Sequence, residues 1–336
     1  MPADTINILA IESSCDETSA AVIQNGKVLS NHIATQKVHE RFGGVVPELA
    51  SRAHMQNIIP VVAAAMQDAG MKNEDLTAVA FTQAPGLIGS LLVGACFAKS
   101  YAQAMNVPLI AVHHMQAHVL AHFIEESPEF PFLCLTVSGG HTQIVLCRSH
   151  LDMEVLGETI DDAAGEAFDK VAKMLGLPYP GGPLIDKYAA LGDPKKFKFP
   201  MSEMKDYTFS FSGVKTSVLY FLQAQKKLDS EFVEKNLHDI CASVQYTIVN
   251  TLMTKLRKAA KDLDIKHIGI AGGVSANSGL RKALTETGEE LGWKVYIPRF
   301  EYCTDNAAMI GITGYYKFLN GSFADMSVIP SARAAW

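Results

Sequence analysis

Apolar runs broken by short polar turns set the rhythm of this chain. "INILAIESSCDETSAAVIQNGKVLSNHI" (6–33) reads as strand, small-polar turn, strand, Asn-Gly turn, strand. "FLCLTVSGGHTQIVLCRS" (132–149) repeats the theme around a Ser-Gly-Gly turn, and "MEVLGETI" adds a third strand. Helices and further strands follow each hairpin. "LTAVAFTQ" (76–83) is a strand before a Pro-Gly turn and a helix, and "IKHIGIAGG" (265–273) is a strand before a Gly-Gly turn and a helix. "VPLIAVHH" and "WKVYIPRF" supply a later strand in each half. The order strand–strand–strand–helix–strand–helix–strand therefore occurs twice. It predicts an α/β protein of two related lobes whose mixed sheets carry buried strands. The expected bounds are 1–130 for the first lobe, completed by the C-terminal helix within 304–336, and 131–303 for the second. A ligand is expected in a cleft between them, because pockets favour domain interfaces.

Composition supports large cores. Of the 336 residues 48% are hydrophobic and 19% charged, which argues against disorder. The longest apolar stretch, "APGLIGSLLVGACFA" (84–98), falls short of the ~18 residues of a membrane span, so no membrane association is expected. The first residues lack a basic region and an apolar secretory core. The six cysteines are scattered, with no C-x-x-C, as expected of a reduced cytoplasmic protein. The net charge of −6 carries no basic footprint for nucleic acid, although "DPKKFKFP" and "KLRKAAKD" are local basic clusters.

"AVHHMQAH" (111–118) places His114 and His118 four positions apart, on one helical face. Two such imidazoles can grip one metal ion. A zinc protease of the H-E-x-x-H type needs Glu directly after the first histidine, and Met115 stands there, so that chemistry loses its base. An i,i+4 pair of histidines without a metal remains an open alternative.

Two glycine loops invite a phosphate. "TVSGGHTQ" (136–143) puts Gly139 and Gly140 in a tight turn, where glycine permits positive φ and close approach of a phosphate to backbone N–H groups. "IGIAGGVSANSGLR" (268–281) runs from strand through Gly-Gly to helix, and Asn277 near that helix start could cap it or bond a ribose or base. Neither the G-x-G-x-x-G fingerprint nor a P-loop is present. Asp162, Glu166 and Asp169 lie at helical spacing before the "PYPGGP" loop and face either a nucleotide or solvent. Together these features suggest a nucleotide between two related lobes, the architecture of the actin, sugar kinase and Hsp70 superfamily.

"IESSCDET", "FGGVVPELASRAH", "APGLIGSLLVG", "HHMQAH", "TVSGGHTQ", "DDAAGEAFDK", "YPGGP", "FSFSGVKT", "AGGVSAN" and "CTDNAAM" occur in one order from residue 11 to about 309. This series closely resembles the bacterial tRNA N6-adenosine threonylcarbamoyltransferase (TsaD, formerly Gcp or YgjD) family. The resemblance implies one divalent metal ion, iron or zinc, held by His114, His118 and Asp305. It implies a substrate phosphate at Thr136, Val137, Ser138, Gly139 and Gly140, ribose contacts at Asp169, Gly182 and Asp186, and an adenosine contact at Asn277. Glu12 lies in the first-lobe loop with no firm role. "MQA" between the histidines departs from the Met-Glu-Gly of many relatives and leaves the ligand positions intact. The implied reaction moves threonylcarbamoyl from threonylcarbamoyl-adenylate to N6 of the adenosine 3′ of the anticodon, in tRNAs reading codons that begin with A. The implied partners are tRNA, a degenerate paralogue of the first lobe (TsaB-like) and a small P-loop ATPase (TsaE-like). The alternative within the same fold is an ATPase or a sugar-kinase-like enzyme.

Overall fold

The computed structural model describes residues 5–202 and 204–334. It divides into two compact units. The first runs up to Pro128 and adds Arg148–Met153 and the chain from Pro298 onward; the second holds Glu129–Cys147 and Glu154–Ile297.

In the first unit the strands are β1 (Asn7–Glu12), β2 (Glu17–Gln24), β3 (Lys27–Thr35), β4 (Ala78–Ala84) and β5 (Leu109–His113). They form one sheet in the order β3-β2-β1-β4-β5. β1 pairs antiparallel with β2 and parallel with β4, and β4 pairs parallel with β5. Helices α1 (Pro47–Asp68), α2 (Ile88–Met105) and α3 (His114–Leu120) belong to this unit. The alternation of β1 sends Leu9 and Ile11 to a core with Ile58 and Val62 of α1 and Ala95 and Ala98 of α2. Ile8 and Ala10 go to the opposite face, against Ala307–Ile310 of a C-terminal helix and Ala117 of α3. β1 is buried throughout, which is why it reads as a continuous apolar run.

The second unit contains β6 (Phe132–Val137), β7 (Thr142–Cys147), β8 (Met153–Glu158), β9 (His267–Ala271) and β10 (Lys294–Tyr296). Their order, β8-β7-β6-β9-β10, reproduces that of the first sheet strand for strand. β6 pairs antiparallel with β7 and parallel with β9, as β1 does with β2 and β4. The internal repeat in the sequence is thus a repeat of topology. Helices α4 (Ala164–Met174), α5 (Gly182–Ala189), α6 (Ser212–Leu228), α7 (Phe232–Leu263) and α8 (Ser278–Leu291) cover this sheet, and α9 (Ala307–Leu319) returns to the first. Gly311 of α9 lets the helix lie against Ile23 and Ala10, since a Cβ there would stand 2.3 Å from the Ile23 side chain. Among the described residues no helix is long and apolar enough to cross a membrane.

Candidate metal centre and nucleotide loops

The parallel half of the first sheet delivers three side chains to one place. β1 ends on Glu12, β4 carries Thr82 near its end, and β5 runs straight into α3, whose first residue is His114. Carboxyl ends of parallel strands are where open α/β sheets place their ligands. His118 follows one helical turn later, with the two imidazoles 4.7 Å apart between centroids and nearly perpendicular. Asp305 arrives from the loop before α9, where Asn306 caps the helix by accepting from Met309 N–H.

Ligand atoms of His114, His118 and Asp305 all lie within 4.8 Å of one another. Asp305 Oδ1 is 3.4 Å from His114 Nε2 and 3.1 Å from His118 Nε2. A divalent ion about 2.1 Å from each ligand would hold neighbouring ligand atoms roughly 3.0 Å apart at octahedral angles and roughly 3.4 Å apart at tetrahedral ones. The two separations from Asp305 match those a metal would impose, and the three residues together offer the donor atoms one would need. Two imidazoles and one carboxylate would hold a divalent ion through three positions, which would leave others for substrate.

Electrostatics agree. Burial would lift the Asp305 pKa, but His114 and His118 override it and hold this carboxylate far below its ordinary range. Burial would likewise depress His114, but Asp305 and Glu12 raise it well above its usual value. His118 is lowered, by burial first, with His114 beside it adding to the effect.

Glu12 is the residue whose role the sequence did not disclose. It is fully buried. It accepts hydrogen bonds from Ser14 N–H, from the Thr82 hydroxyl at 2.6 Å and from His114 Nδ1–H at 3.1 Å. Burial opposes its charge, yet His114 brings its pKa below the ordinary value. Fixing the proton on Nδ1 presents Nε2 to the ligand position and strengthens it as a donor. The available signal was a carboxylate closing an otherwise apolar core strand. Glu12→Gln should weaken metal affinity by roughly 10- to 100-fold while the secondary structure is retained. Titration of the apo-protein with metal checks this, and an unchanged dissociation constant would remove Glu12 from the centre.

The second unit gathers the remaining candidates. Thr136 and Val137 end β6, and Ser138, Gly139 and Gly140 form its turn into β7. Ser138 Oγ accepts from Gly140 N–H and His141 N–H, which shapes the turn. Neither Gly139 nor Gly140 takes the left-handed conformation expected of them. Their sides are instead open, with nothing within 4 Å of an added Cβ. Glycine serves here by leaving space beside the backbone. Of the two glycine loops, the positive φ falls at Gly272 (85°) in the second, packed so that a Cβ would stand 2.5 Å from Val137 O. Gly165, at the start of α4, lies equally close to Ser138 O.

Asp169, Gly182, Asp186 and Asn277 are each fixed by hydrogen bonds around helices α5 and α8. Asp169 Oδ1 accepts from Gly181 N–H at 2.8 Å and Gly182 N–H at 3.0 Å. Burial raises the Asp169 pKa against these two amides. Asp186 accepts from Ser278 N–H at 3.0 Å and the Ser278 hydroxyl at 2.7 Å. Asn277 caps α8 by accepting from Leu280 N–H and donates from Nδ2 to Gln245 at 2.7 Å. Asp169 thereby ties α4 to the start of α5, and Asp186 ties the body of α5 to the start of α8. Asp162 stands before α4, bound by Lys170 at 2.8 Å and Lys215 at 3.0 Å.

Comparison with known proteins gives the family. A sequence profile described as tRNA N6-adenosine threonylcarbamoyltransferase, TsaD, matches residues 27–312. A protein of that name from Christiangramia forsetii is 64% identical over 98% of each chain. One from Porphyromonas gingivalis is 56% identical, again over 98% of each. Among solved structures, full-length HypF in its phosphate- and nucleotide-bound form superposes with a TM-score of 0.62 at 13% identity, covering 95% of this chain and 56% of that one. Component A of the Acidaminococcus fermentans (R)-2-hydroxyglutaryl-CoA dehydratase superposes with a TM-score of 0.53 at 16% identity, over 93% and 98% of the two chains. These two likenesses concern the two-unit α/β fold alone. From its sequence profile and its relatives, this chain belongs to the tRNA N6-adenosine threonylcarbamoyltransferase family.

Proposed function

We propose that this chain transfers threonylcarbamoyl from threonylcarbamoyl-adenylate to N6 of the adenosine 3′ of the anticodon, in tRNAs reading codons that begin with A. AMP is the leaving group. The carrying observation is the triad His114, His118 and Asp305 with Glu12 behind it, in a chain so close to relatives of that name.

The triad holds one divalent ion, iron or zinc. Its donor set of two imidazoles and one carboxylate suits either metal. Bound there, the ion supplies Lewis-acid polarisation of a carbonyl and a fixed point for the donor. Glu12 keeps His114 in the tautomer that serves this site. In the second unit the open backbone of Ser138–Gly140 receives the phosphate of the adenylate. Asp169, Gly182 and Asp186 frame the ribose, and Asn277 meets the adenosine side. The N6 lone pair attacks the carbamoyl carbon, the bond from that carbon to the phosphate oxygen breaks, and AMP departs with the electron pair. The N6 proton passes to solvent, and no general base on this chain is assigned. An exocyclic amine is a weak nucleophile, so orientation by these residues supplies much of the rate.

The chain works in the cytoplasm with a TsaB-like paralogue of the first lobe and a small TsaE-like P-loop ATPase. These partners supply part of the basic surface that a net charge of −6 lacks. With partners, tRNA and donor present, AMP and modified adenosine should appear in equal amounts. A tRNA carrying guanosine at the target position lacks the N6 amine and should give no product. Mass spectrometry of the tRNA nucleosides reads both, and product on the guanosine tRNA would refute the acceptor assignment.

A further inference from the structure

The loop 36–46 in the first unit is unused by the metal centre and by the nucleotide loops. Its two feet are pinned. Gln36 N–H donates to Asp16 O, and Gln36 Nε2 donates to Ala50 O. The buried His39 bonds Gln36 Oε1 through Nε2 at 2.9 Å and accepts from Val46 N–H through Nδ1 at 3.2 Å. Between the feet the tip is bare. Phe42 is 59% exposed, an unusual place for a phenyl ring. Gly43 and Gly44 follow it at φ 67° and 155°, with nothing within 4 Å of either as a Cβ. Lys37 and Arg41 flank it, both exposed and with no ion pair recorded among the described residues.

The foot at Asp16 belongs to the β1–β2 turn, whose Ser14 hydroxyl lies 3.3 Å from His114 Nδ1. The ring is therefore carried on a stem hydrogen-bonded to a turn that touches His114. A hydrogen-bonded stem, a bare aromatic face and two exposed cations make up the chemistry that captures unpaired nucleotides. Bases of any identity stack on the ring, while Lys and Arg meet the phosphates.

We infer that Phe42 is a stacking platform for an unpaired base in the loop of the RNA substrate, with Lys37 and Arg41 on the adjoining phosphates. This rests on the proposed tRNA reading and deepens it. Phe42→Ala, in the complete assembly with its partners, should raise both the Kd for an RNA stem-loop and the KM for tRNA roughly tenfold. Saturating kcat, metal content and partner co-elution should stay at wild-type values, and Phe42→Trp should restore affinity. Arg41→Gln should reduce the salt dependence of RNA binding by about 0.7 in log–log slope. Wild-type RNA affinity in Phe42→Ala would overturn the inference. So would loss of a partner protein at unchanged RNA affinity, which would make the loop a protein contact. Binding and transfer are measured separately: a wild type that binds RNA through Phe42 without modifying it would fault the proposed reaction and leave the platform standing.

Discussion

His118→Ala should leave the chain folded but nearly free of metal, with threonylcarbamoyl transfer lowered by about a thousandfold or more. Among the described residues, His114, His118 and Asp305 are the group that could hold a metal ion. Removing one leaves His114 and Asp305 alone, and two ligands rarely hold a divalent ion against water and buffer. Loss of Lewis-acid assistance and donor placement removes several kcal/mol of transition-state stabilisation, and a thousandfold corresponds to about 4 kcal/mol. His118 packs at the end of a sheet whose two cores are built by other residues, so the secondary structure should survive. Elemental analysis of purified protein reads the metal directly, with circular dichroism as the control for folding. Undiminished metal in this variant would sink the assignment of all three ligands.

Gly140→Val should lower affinity for a non-hydrolysable adenylate analogue by roughly a hundredfold with little change in thermal stability. The reasoning comes from the space around the residue. An added Cβ meets nothing within 4 Å and the backbone is outside the left-handed region, so the folded chain accepts a side chain there. The only thing displaced is a ligand against the backbone. Gly165→Ala is the opposite case. Its Cβ would stand 2.5 Å from Ser138 O, so the turn itself must shift, at about 1–3 kcal/mol of stability. Calorimetry on both variants separates filled ligand space from a moved loop. Wild-type affinity in Gly140→Val would show that the turn is a hairpin and nothing more.

Much of the architecture was written locally. The apolar run of β1, the Asn-Gly and Ser-Gly-Gly turns and the twofold order of strands and helices depend on neighbours a few residues away. They could be read without coordinates because strand periodicity and turn chemistry are local properties. The His114–His118 spacing belongs to the same class, and so does the Asn277 cap, whose bond to Leu280 N–H spans three residues.

Other features depended on the folded chain. Asp305 is 187 positions from His118, and Glu12 is 102 from His114. Only the parallel pairing of β1, β4 and β5, with α9 packed back on the sheet, brings those side chains together. No pattern within one segment records that pairing, so only family resemblance points to Asp305, and the sequence alone gives Glu12 no role. The tie from Asp186 to Ser278 spans 92 residues and was invisible for the same reason. Gly139 and Gly140 show the limit within a turn. The residue type announces freedom of φ and absence of a side chain together, and only the backbone path decided that the second was in use. The sequence by itself determined the elements, their order and the kinds of chemistry available. The tertiary structure decided which distant groups share a site, because that is set by strand pairing and helix packing across the whole chain.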